Sequence, residues 1–143
     1  ISGESIAVES AILAGEGTVI AVEYSKRDRH TLEENVNQFG LNNIHIIDHV
    51  DEEAMKELPV PDVTMLVASA SMEQEIEYML SINPNMEFVI YTLDFKVASQ
   101  IEGIFEKYDL GEPDVTQIMV SKLSSKHTFD TQPAPWIITR RMD

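Results

Sequence analysis

Short runs of β-branched and apolar residues alternate along this chain with segments of helical periodicity, and this alternation restricts the fold more than any other feature. Continuous apolar runs predict buried strands, and apolar residues that recur every three or four positions predict helices. The predicted strands are residues 18–23, 44–47, 63–68, 88–92, 115–123 and 136–140. The predicted helices are residues 5–14, 28–39, 51–58, 72–82 and 95–108.

The order of these elements predicts an α/β fold. Strands separated by helices form a parallel sheet with helices on both faces. The last two strands follow each other without a helix, so we expect an antiparallel hairpin that closes the sheet, with 136–140 inserted beside 88–92. Ser71 is expected to cap the helix 72–82, and Gly40 is expected to end the helix 28–39.

The length of the chain and its first residues bear on domain organisation. A chain of 143 residues usually forms one domain, and we expect a single domain over residues 1–143. The first residues read as the end of a strand. We therefore expect that a first strand is largely missing and that the chain is truncated at its N-terminus.

Composition excludes several classes of function. The formal net charge is −15, which repels phosphate backbones, so no nucleic-acid partner is expected. No apolar run approaches the roughly 18 residues of a membrane span, and no membrane partner is expected. The absence of Cys excludes disulfides and thiolate catalysis. Positive charge is concentrated near the C-terminus, in Lys122, Lys126, Arg140 and Arg141. These residues are either the ordinary solvated tail of an acidic protein or its anion-binding surface.

Three segments lie at the carboxyl ends of predicted strands, where open α/β sheets bind ligands. Residues 1–5 contain one glycine, Gly3, which lets backbone approach a ligand but is equally typical of an ordinary turn. Glu23 ends its strand and is suited to accept hydrogen bonds from both hydroxyls of a ribose, although a solvated acid is the alternative. Residues 68–71 are small and leave room for a ligand, but Ser71 also suits a helix cap.

Two other clusters carry no assigned chemistry. His45 and His49 lie on either side of Asp48, but no third ligand has suitable spacing, so we predict no metal site. Residues 124–127 include two serines and a histidine. No acid partner or elbow sequence accompanies them, and no catalytic residue is assigned.

Several stretches of sequence carry a resemblance to a known family. Residues 34–43 (ENVNQFGLNN) follow the acidic Glu23, residues 57–71 read ELPVPDVTMLVASAS, residues 91–95 read YTLDF, and residues 120–139 read VSKLSSKHTFDTQPAPWIIT. Together they resemble the domain of precorrin-6Y C5,15-methyltransferases of cobalamin biosynthesis that methylates carbon 15 and decarboxylates the ring-C acetate. The likeness covers essentially the whole chain and consists of many moderate matches.

The resemblance implies a class I S-adenosylmethionine methyltransferase fold. Such a fold is a Rossmann-like three-layer sandwich around a mostly parallel seven-stranded sheet with an antiparallel last strand. The implied cofactor is S-adenosylmethionine. Gly3, Glu4 and Ser5 are expected at its methionine end, and Glu23 is expected at its ribose. Ser69 and Ala70 are expected to form the floor of the site.

The implied substrate is a precorrin or cobalt-precorrin tetrapyrrole, which carries several carboxylates. An acidic chain needs a local positive field to bind it, and this field is expected from Lys122, Lys126, His127 and Arg140. We also expect a cytoplasmic protein, a homo-oligomer, and a second methyltransferase domain that is fused to the chain or binds it.

The chain departs from the family in three loops that are normally rich in glycine. They read SGES at residues 2–5, ASAS at 68–71 and NPNM at 83–86. Side chains there reduce the room for close contact with a ligand. The alternative function is therefore a methyltransferase-fold scaffold without turnover. A nicotinamide dehydrogenase is a third class, but the closing hairpin and the absence of a GxGxxG sequence argue against it.

Overall fold

The structure is a computed structural model that describes the backbone of residues 3–142 and the side chains of residues 6–142. Contacts divide the chain into two compact units, Ile1–Pro59 and Val60–Asp143. The single domain expected from the sequence, and its truncation at the N-terminus, stay predictions. No helix within the described residues has the length and apolar character needed to cross a membrane.

The first unit contains two parallel strands and three helices. Its elements are α1 (Gly3–Ala14), β1 (Val19–Val22), α2 (Lys26–Gln38), β2 (Ile44–Ile47) and α3 (Glu52–Met55). β1 pairs with β2 from Val19 beside Ile44 to Val22 beside Ile47. The parallel pairing places the carboxyl ends of both strands at one edge.

The core of the first unit is small and well defined. Val8, Ala21 and Leu32 are buried together and come from α1, β1 and α2. Asn43 joins the turn after α1 to the start of β2, because its side-chain amide nitrogen lies 2.8–3.1 Å from the carbonyl oxygens of Ala11, Gly15 and Gly17. This amide holds three otherwise separate backbone groups in place.

The second unit is built on a four-stranded sheet. Its elements are β3 (Val63–Val67), α4 (Met72–Ile82), β4 (Glu87–Thr92), α5 (Phe95–Lys107), β5 (Asp114–Gln117), β6 (Ser121–Leu123), β7 (Phe129–Thr131) and β8 (Trp136–Arg140). The sheet order is β3-β4-β8-β5, and β6 pairs with β7 in a separate hairpin. β3 and β4 are parallel, whereas β8 is antiparallel to both β4 and β5.

The buried face of this sheet forms the core of the second unit. Phe88, Ile90 and Ile138 from neighbouring strands are fully buried, as are Ile76 of α4 and Phe105 of α5. The opposite face of β3 is not buried in this way, because the apolar side chains of Val63, Met65 and Val67 are each at least half exposed.

β5 and β6 follow each other along one side of an antiparallel ribbon, and β7 and β8 follow each other along the other side. The pairing is interrupted once. β5 pairs with β8 up to Gln117 beside Trp136, and pairing resumes at Ser121 beside Thr131. The intervening segments are 118–120 and 132–135, so the second has one residue more, as in a β-bulge. The predicted single strand 115–123 is therefore divided into β5 and β6, and β7 was not predicted.

Most predicted elements are present with small changes at their ends, and the antiparallel insertion of 136–140 beside 88–92 is confirmed. The helix predicted at 28–39 begins at Lys26, because the side chain of Ser25 accepts a hydrogen bond from the Asp28 backbone and caps it. The predicted cap at Ser71 is wrong. Its backbone is already helical, and its hydroxyl donates to Glu75 at 2.8 Å.

The helix predicted at 51–58 is limited to Glu52–Met55, with Asp51 as its cap. A single seven-stranded sheet also stays a prediction. The described residues form eight strands in three sheets, two of them with only two strands.

Candidate functional site

Glu23 lies at the carboxyl edge of the first unit, directly after β1. Its backbone N–H donates to the carbonyl oxygen of Ile47 at 3.0 Å, which aligns it with the end of β2. Its own carbonyl oxygen accepts a hydrogen bond from Arg29 at 3.1 Å. The residue is half-buried, and within residues 6–142 no donor binds its carboxylate. The backbone of Glu23 is thus held in place, and its carboxylate is not engaged by another described side chain. The predicted role at a ribose stays a prediction.

His49 follows β2 and binds two carboxylates. Its Nδ1 lies 2.5 Å from Oδ1 of Asp48, and its Nε2 lies 2.8 Å from Oδ2 of Asp51. The hydrogen bonds that the His49 ring donates to the carboxylates of Asp48 and Asp51 raise the pKa of His49. The same contact with His49 lowers the pKa of Asp48. The pKa of Asp51 is lowered mainly by its hydrogen bond from the backbone N–H of Ala54, and to a smaller extent by its hydrogen bond with His49.

This cluster lines a surface cavity of about 460 Å³ together with Arg29, Glu33 and Glu53. Both ring nitrogens of His49 are engaged by carboxylates, so they are not free to bind a metal. In the part of the chain that the structure describes, no group of three or more His, Asp or Glu side chains is arranged to hold a metal ion. His45, Asp48 and His49 were considered as a group from the sequence. Asp51, the second carboxylate that binds His49, was not included.

The segment 68–71 lies at the carboxyl edge of the second unit, directly after β3. The N–H of Ala68 donates to the carbonyl oxygen of Tyr91 at 2.8 Å, which extends the sheet by one hydrogen bond. Ser69 and Ala70 are exposed beyond it. The Ser69 hydroxyl lies 3.0 Å from that of Ser71 and accepts the Ser71 N–H at 3.3 Å. The segment forms a turn closed by its own serines, with small side chains facing solvent.

An aromatic pair that was not predicted from the sequence lies at the same edge of the second unit. Trp136 begins β8 and pairs with Thr92, the last residue of β4. Asp94 caps α5 by accepting the N–H groups of Lys96 and Val97, which fixes Phe95 at the start of the helix. The rings of Phe95 and Trp136 have centroids 5.8 Å apart and are tilted by 55°. The available signal was that the only Trp of the chain begins its last strand.

The β6–β7 hairpin carries three of the predicted basic side chains. β5 runs parallel to β4, since both are antiparallel to β8, so the hairpin that continues from β5 extends beyond the carboxyl edge. Lys122 is exposed on β6 and lies opposite Asp130. Lys126 and His127 occupy the exposed turn, where the Lys126 N–H donates to Ser124 at 3.2 Å and His127 adopts φ 61°.

Arg140 lies at the other edge of the sheet. It pairs with Phe88, near the start of β4. Its guanidinium donates to the carbonyl oxygens of Pro84 at 3.2 Å and Met86 at 3.1 Å. The structure therefore brings Lys122, Lys126 and His127 together on one hairpin and places Arg140 apart from them.

The predicted residues at the methionine end of the cofactor are only partly described. Gly3, Glu4 and Ser5 form the first residues of α1, and their side chains lie outside the described residues. Ile1 and Ser2, which complete the predicted loop, also lie outside them. The roles assigned to these residues stay predictions.

The chain is similar to known proteins in both sequence and structure. Residues 2–130 match the family model described as precorrin methyltransferase domain. No curated protein matches the chain significantly. A precorrin-6y C5,15-methyltransferase from Geobacter metallireducens GS-15 is 18% identical, with a TM-score of 0.85 over 99% of this chain and 77% of that chain.

Two further solved structures share the fold. A precorrin 8W decarboxylase from Methanobacterium thermoautotrophicum is 18% identical, with a TM-score of 0.72 over 93% of this chain and 75% of that chain. The C-terminal domain of a precorrin-6Y C5,15-methyltransferase from Rhodobacter capsulatus is 16% identical, with a TM-score of 0.72 over 99% and 76%. These likenesses show a fold like that of class I methyltransferases.

Proposed function

Since the chain belongs to the precorrin methyltransferase domain family, we propose that it transfers a methyl group from S-adenosylmethionine to a tetrapyrrole of cobalamin biosynthesis. The match over residues 2–130 is the observation that carries the proposal. We extend it to decarboxylation of the ring-C acetate: the bond between its methylene and carboxylate carbons breaks, carbon dioxide leaves, the electron pair enters the conjugated macrocycle, and a proton from water completes the methyl group that remains. The support for this step is the shared fold of a protein named as a precorrin decarboxylase.

Taken by itself, each unit contains one described feature that fits a part of S-adenosylmethionine. Glu23 is a half-buried residue whose carboxylate accepts no hydrogen bond within residues 6–142, and it follows a strand at the edge where a ribose is bound in related folds. Ser69 and Ala70 are small and exposed at the end of β3, as expected for the floor of a site. We assign Gly3, Glu4 and Ser5 to the methionine end. When bound, S-adenosylmethionine supplies a methyl group that is already activated on a sulfonium.

The residues of the chain then act mainly by position. A reaction between an activated methyl group and an electron-rich carbon gains most of its rate from proximity and orientation. Lys122 and Lys126 supply local positive charge for the carboxylates of the substrate, which the net charge of −15 would otherwise repel, and His127 beside them offers a ring N–H to the same carboxylates. We leave Arg140 out of this site because its guanidinium binds two backbone carbonyl oxygens at the opposite edge.

A scaffold without turnover is the second candidate, and the loops 68–71 and 83–86 favour it. Neither loop contains a residue with positive φ, so their side chains are accommodated without backbone strain. Asn83 stabilises its turn by donating to Pro61 and accepting the N–H of Asn85, each at 3.0 Å. The structure therefore retains the fold without the glycines that a tight cofactor site uses.

Titration of the full-length protein with S-adenosylmethionine in a calorimeter separates the two candidates. We expect saturable binding of the cofactor, followed by methyl transfer to a precorrin. A well-folded protein that shows no binding would contradict the enzyme and leave the scaffold.

We also propose that the protein is a homo-oligomer. Leu123 and Phe129 face each other across the β6–β7 hairpin and are 62% and 72% exposed, and a second copy would cover them. Sedimentation should show a mass above that of the monomer, and Phe129→Ser should reduce it. A wild-type protein that sediments as a monomer would rule this out.

A further inference from the structure

The pair of Phe95 and Trp136 has no role in the cofactor site described above. Phe95 is 70% exposed, and its neighbour Leu93 is 50% exposed. The buried side chains of α5 are Ile101, Ile104 and Phe105, so the helix is anchored to its unit by other residues. Asp94 caps the helix with its carboxylate and needs no aromatic neighbour to do so. The Phe95 ring is therefore not required by the packing of α5.

The position of the pair points to a ligand. Trp136 lies beside Thr92 and Gln117, which are the last residues of β4 and β5. The carboxyl edge of such sheets is where ligands bind. A single exposed apolar side chain is ordinary, but two aromatic rings in contact offer a larger surface for stacking.

We propose that Phe95 and Trp136 form the surface against which the conjugated macrocycle of the tetrapyrrole stacks. This inference rests on the proposed function, because it takes a tetrapyrrole as the ligand. Aromatic side chains stack on flat conjugated rings in an offset or tilted arrangement, and rings tilted by 55° present faces in two directions. A reduced macrocycle is not flat throughout, and two faces suit it better than one.

The charges around the pair agree with this ligand. Lys96 follows Phe95 on α5 and is exposed at the same edge. The hairpin with Lys122 and Lys126 extends beyond that edge from β5. A macrocycle on the aromatic pair would therefore have cationic side chains on the adjoining helix and hairpin for its peripheral carboxylates.

Uroporphyrin, a stable polycarboxylated tetrapyrrole, is the probe. Its binding to the full-length protein is followed by the change in its Soret absorption. Phe95→Leu keeps an apolar side chain but removes the ring, and we expect affinity to fall by roughly three- to tenfold. Phe95→Tyr keeps the ring and should bind as the wild type does. Phe39→Leu, at an exposed Phe of the first unit, is the matched control and should change nothing.

A second measurement keeps the test independent of folding effects. Trp136 is the only Trp of residues 1–143, so in a sample of this chain the single indole N–H resonance of an NMR spectrum belongs to it. A stacked macrocycle should move this resonance by its ring current. Uroporphyrin binding that neither moves the resonance nor responds to Phe95→Leu would overturn the inference, and so would no binding at all. S-adenosylmethionine affinity is measured on the same samples, and its absence would instead count against the proposed function.

Discussion

The carboxylate of Asp51 forms one hydrogen bond with His49 and another with the backbone at the start of α3. Oδ2 of Asp51 lies 2.8 Å from Nε2 of His49, while Oδ1 of the same carboxylate accepts the N–H of Ala54 at 2.7 Å. The position of this imidazole is therefore linked to the N-terminus of α3. Protonation of His49 strengthens its interaction with a carboxylate that already caps a helix.

We expect this cluster to make the stability of the chain depend on pH. The pKa of His49 is raised by its bonds to Asp48 and Asp51. Its stabilising contribution is therefore fully present below the ordinary value of about 6.5 and is lost as the pH rises through the higher folded value. The neighbouring charges are Arg29, Glu33 and Glu53.

Thermal unfolding between about pH 6 and pH 9 measures this effect. The midpoint of the wild type should fall as the pH rises, and His49→Gln should remove most of that slope. His45→Gln is the control, because His45 is exposed on β2 and has no bonded carboxylate in the described part of the chain. Equal slopes in the wild type and His49→Gln would contradict the prediction.

Two serines that precede helices should differ in their effect on stability. Ser25 accepts the Asp28 N–H at 3.3 Å, whereas Ser71 makes no cap hydrogen bond to the backbone of its helix. Ser25→Ala should cost about 1 kcal/mol of unfolding free energy. Ser71→Ala should change it by less than about 0.5 kcal/mol. Urea unfolding of both variants measures this, and a larger loss at Ser71 would show that it acts as a cap after all.

The comparison of Ser25 with Ser71 also shows what the sequence can predict. Both residues precede a helical pattern, but the backbone angles that decide which one caps are not encoded in residue type alone. The strands are more predictable, because β4 and β8 each contain a short run of apolar, aromatic and β-branched residues, which is typical of a strand.

Contacts between residues far apart in the chain were harder to predict from the sequence. Phe95 meets Trp136 only because β8 returns beside β4 in one particular register. The bulge after Gln117 could not be predicted either, because it also depends on the pairing with a distant strand. Ile118, Met119 and Val120 read as a continuous strand, although the pairing on either side of them differs by one residue. The position of Glu23 directly after β1 could be predicted because a strand end is visible in the sequence, whereas the partners of His49 depend on how the chain turns after β2.

Asn43 should be among the most sensitive polar positions of the first unit. Its amide nitrogen lies within hydrogen-bond distance of the carbonyl oxygens of Ala11, Gly15 and Gly17. Asn43→Asp replaces this donor by a carboxylate facing three oxygens, and we expect a loss of about 2–3 kcal/mol of unfolding free energy. Asn42→Asp, at the exposed neighbour, should stay within about 0.5 kcal/mol. Similar losses for the two variants in urea unfolding would refute the role of Asn43.

Glu23→Ala should weaken the binding of S-adenosylmethionine. A carboxylate that accepts two ribose hydroxyls contributes roughly 1.5–3 kcal/mol, which corresponds to a loss of affinity of about 10- to 150-fold. Glu16→Ala removes an exposed acid of the same unit and controls for the change in net charge. Calorimetric titration of the three proteins decides the point. Unchanged affinity in Glu23→Ala, with measurable binding by the wild type, would remove Glu23 from the site.

The loop after β3 distinguishes a weakened enzyme from a scaffold. If the site binds cofactor but is crowded by side chains at Ser69 and Ala70, a double change to glycine should let backbone approach more closely and tighten binding. The cost in stability should be about 0.5–1 kcal/mol at each position, because glycine gains freedom in the unfolded chain. If the domain is a scaffold, the same change should lower stability and leave binding absent. Titration with S-adenosylmethionine in one buffer, beside urea unfolding, measures both quantities. Binding by the wild type that the double variant improves supports the enzyme, whereas no binding by either folded protein would lead us to abandon it.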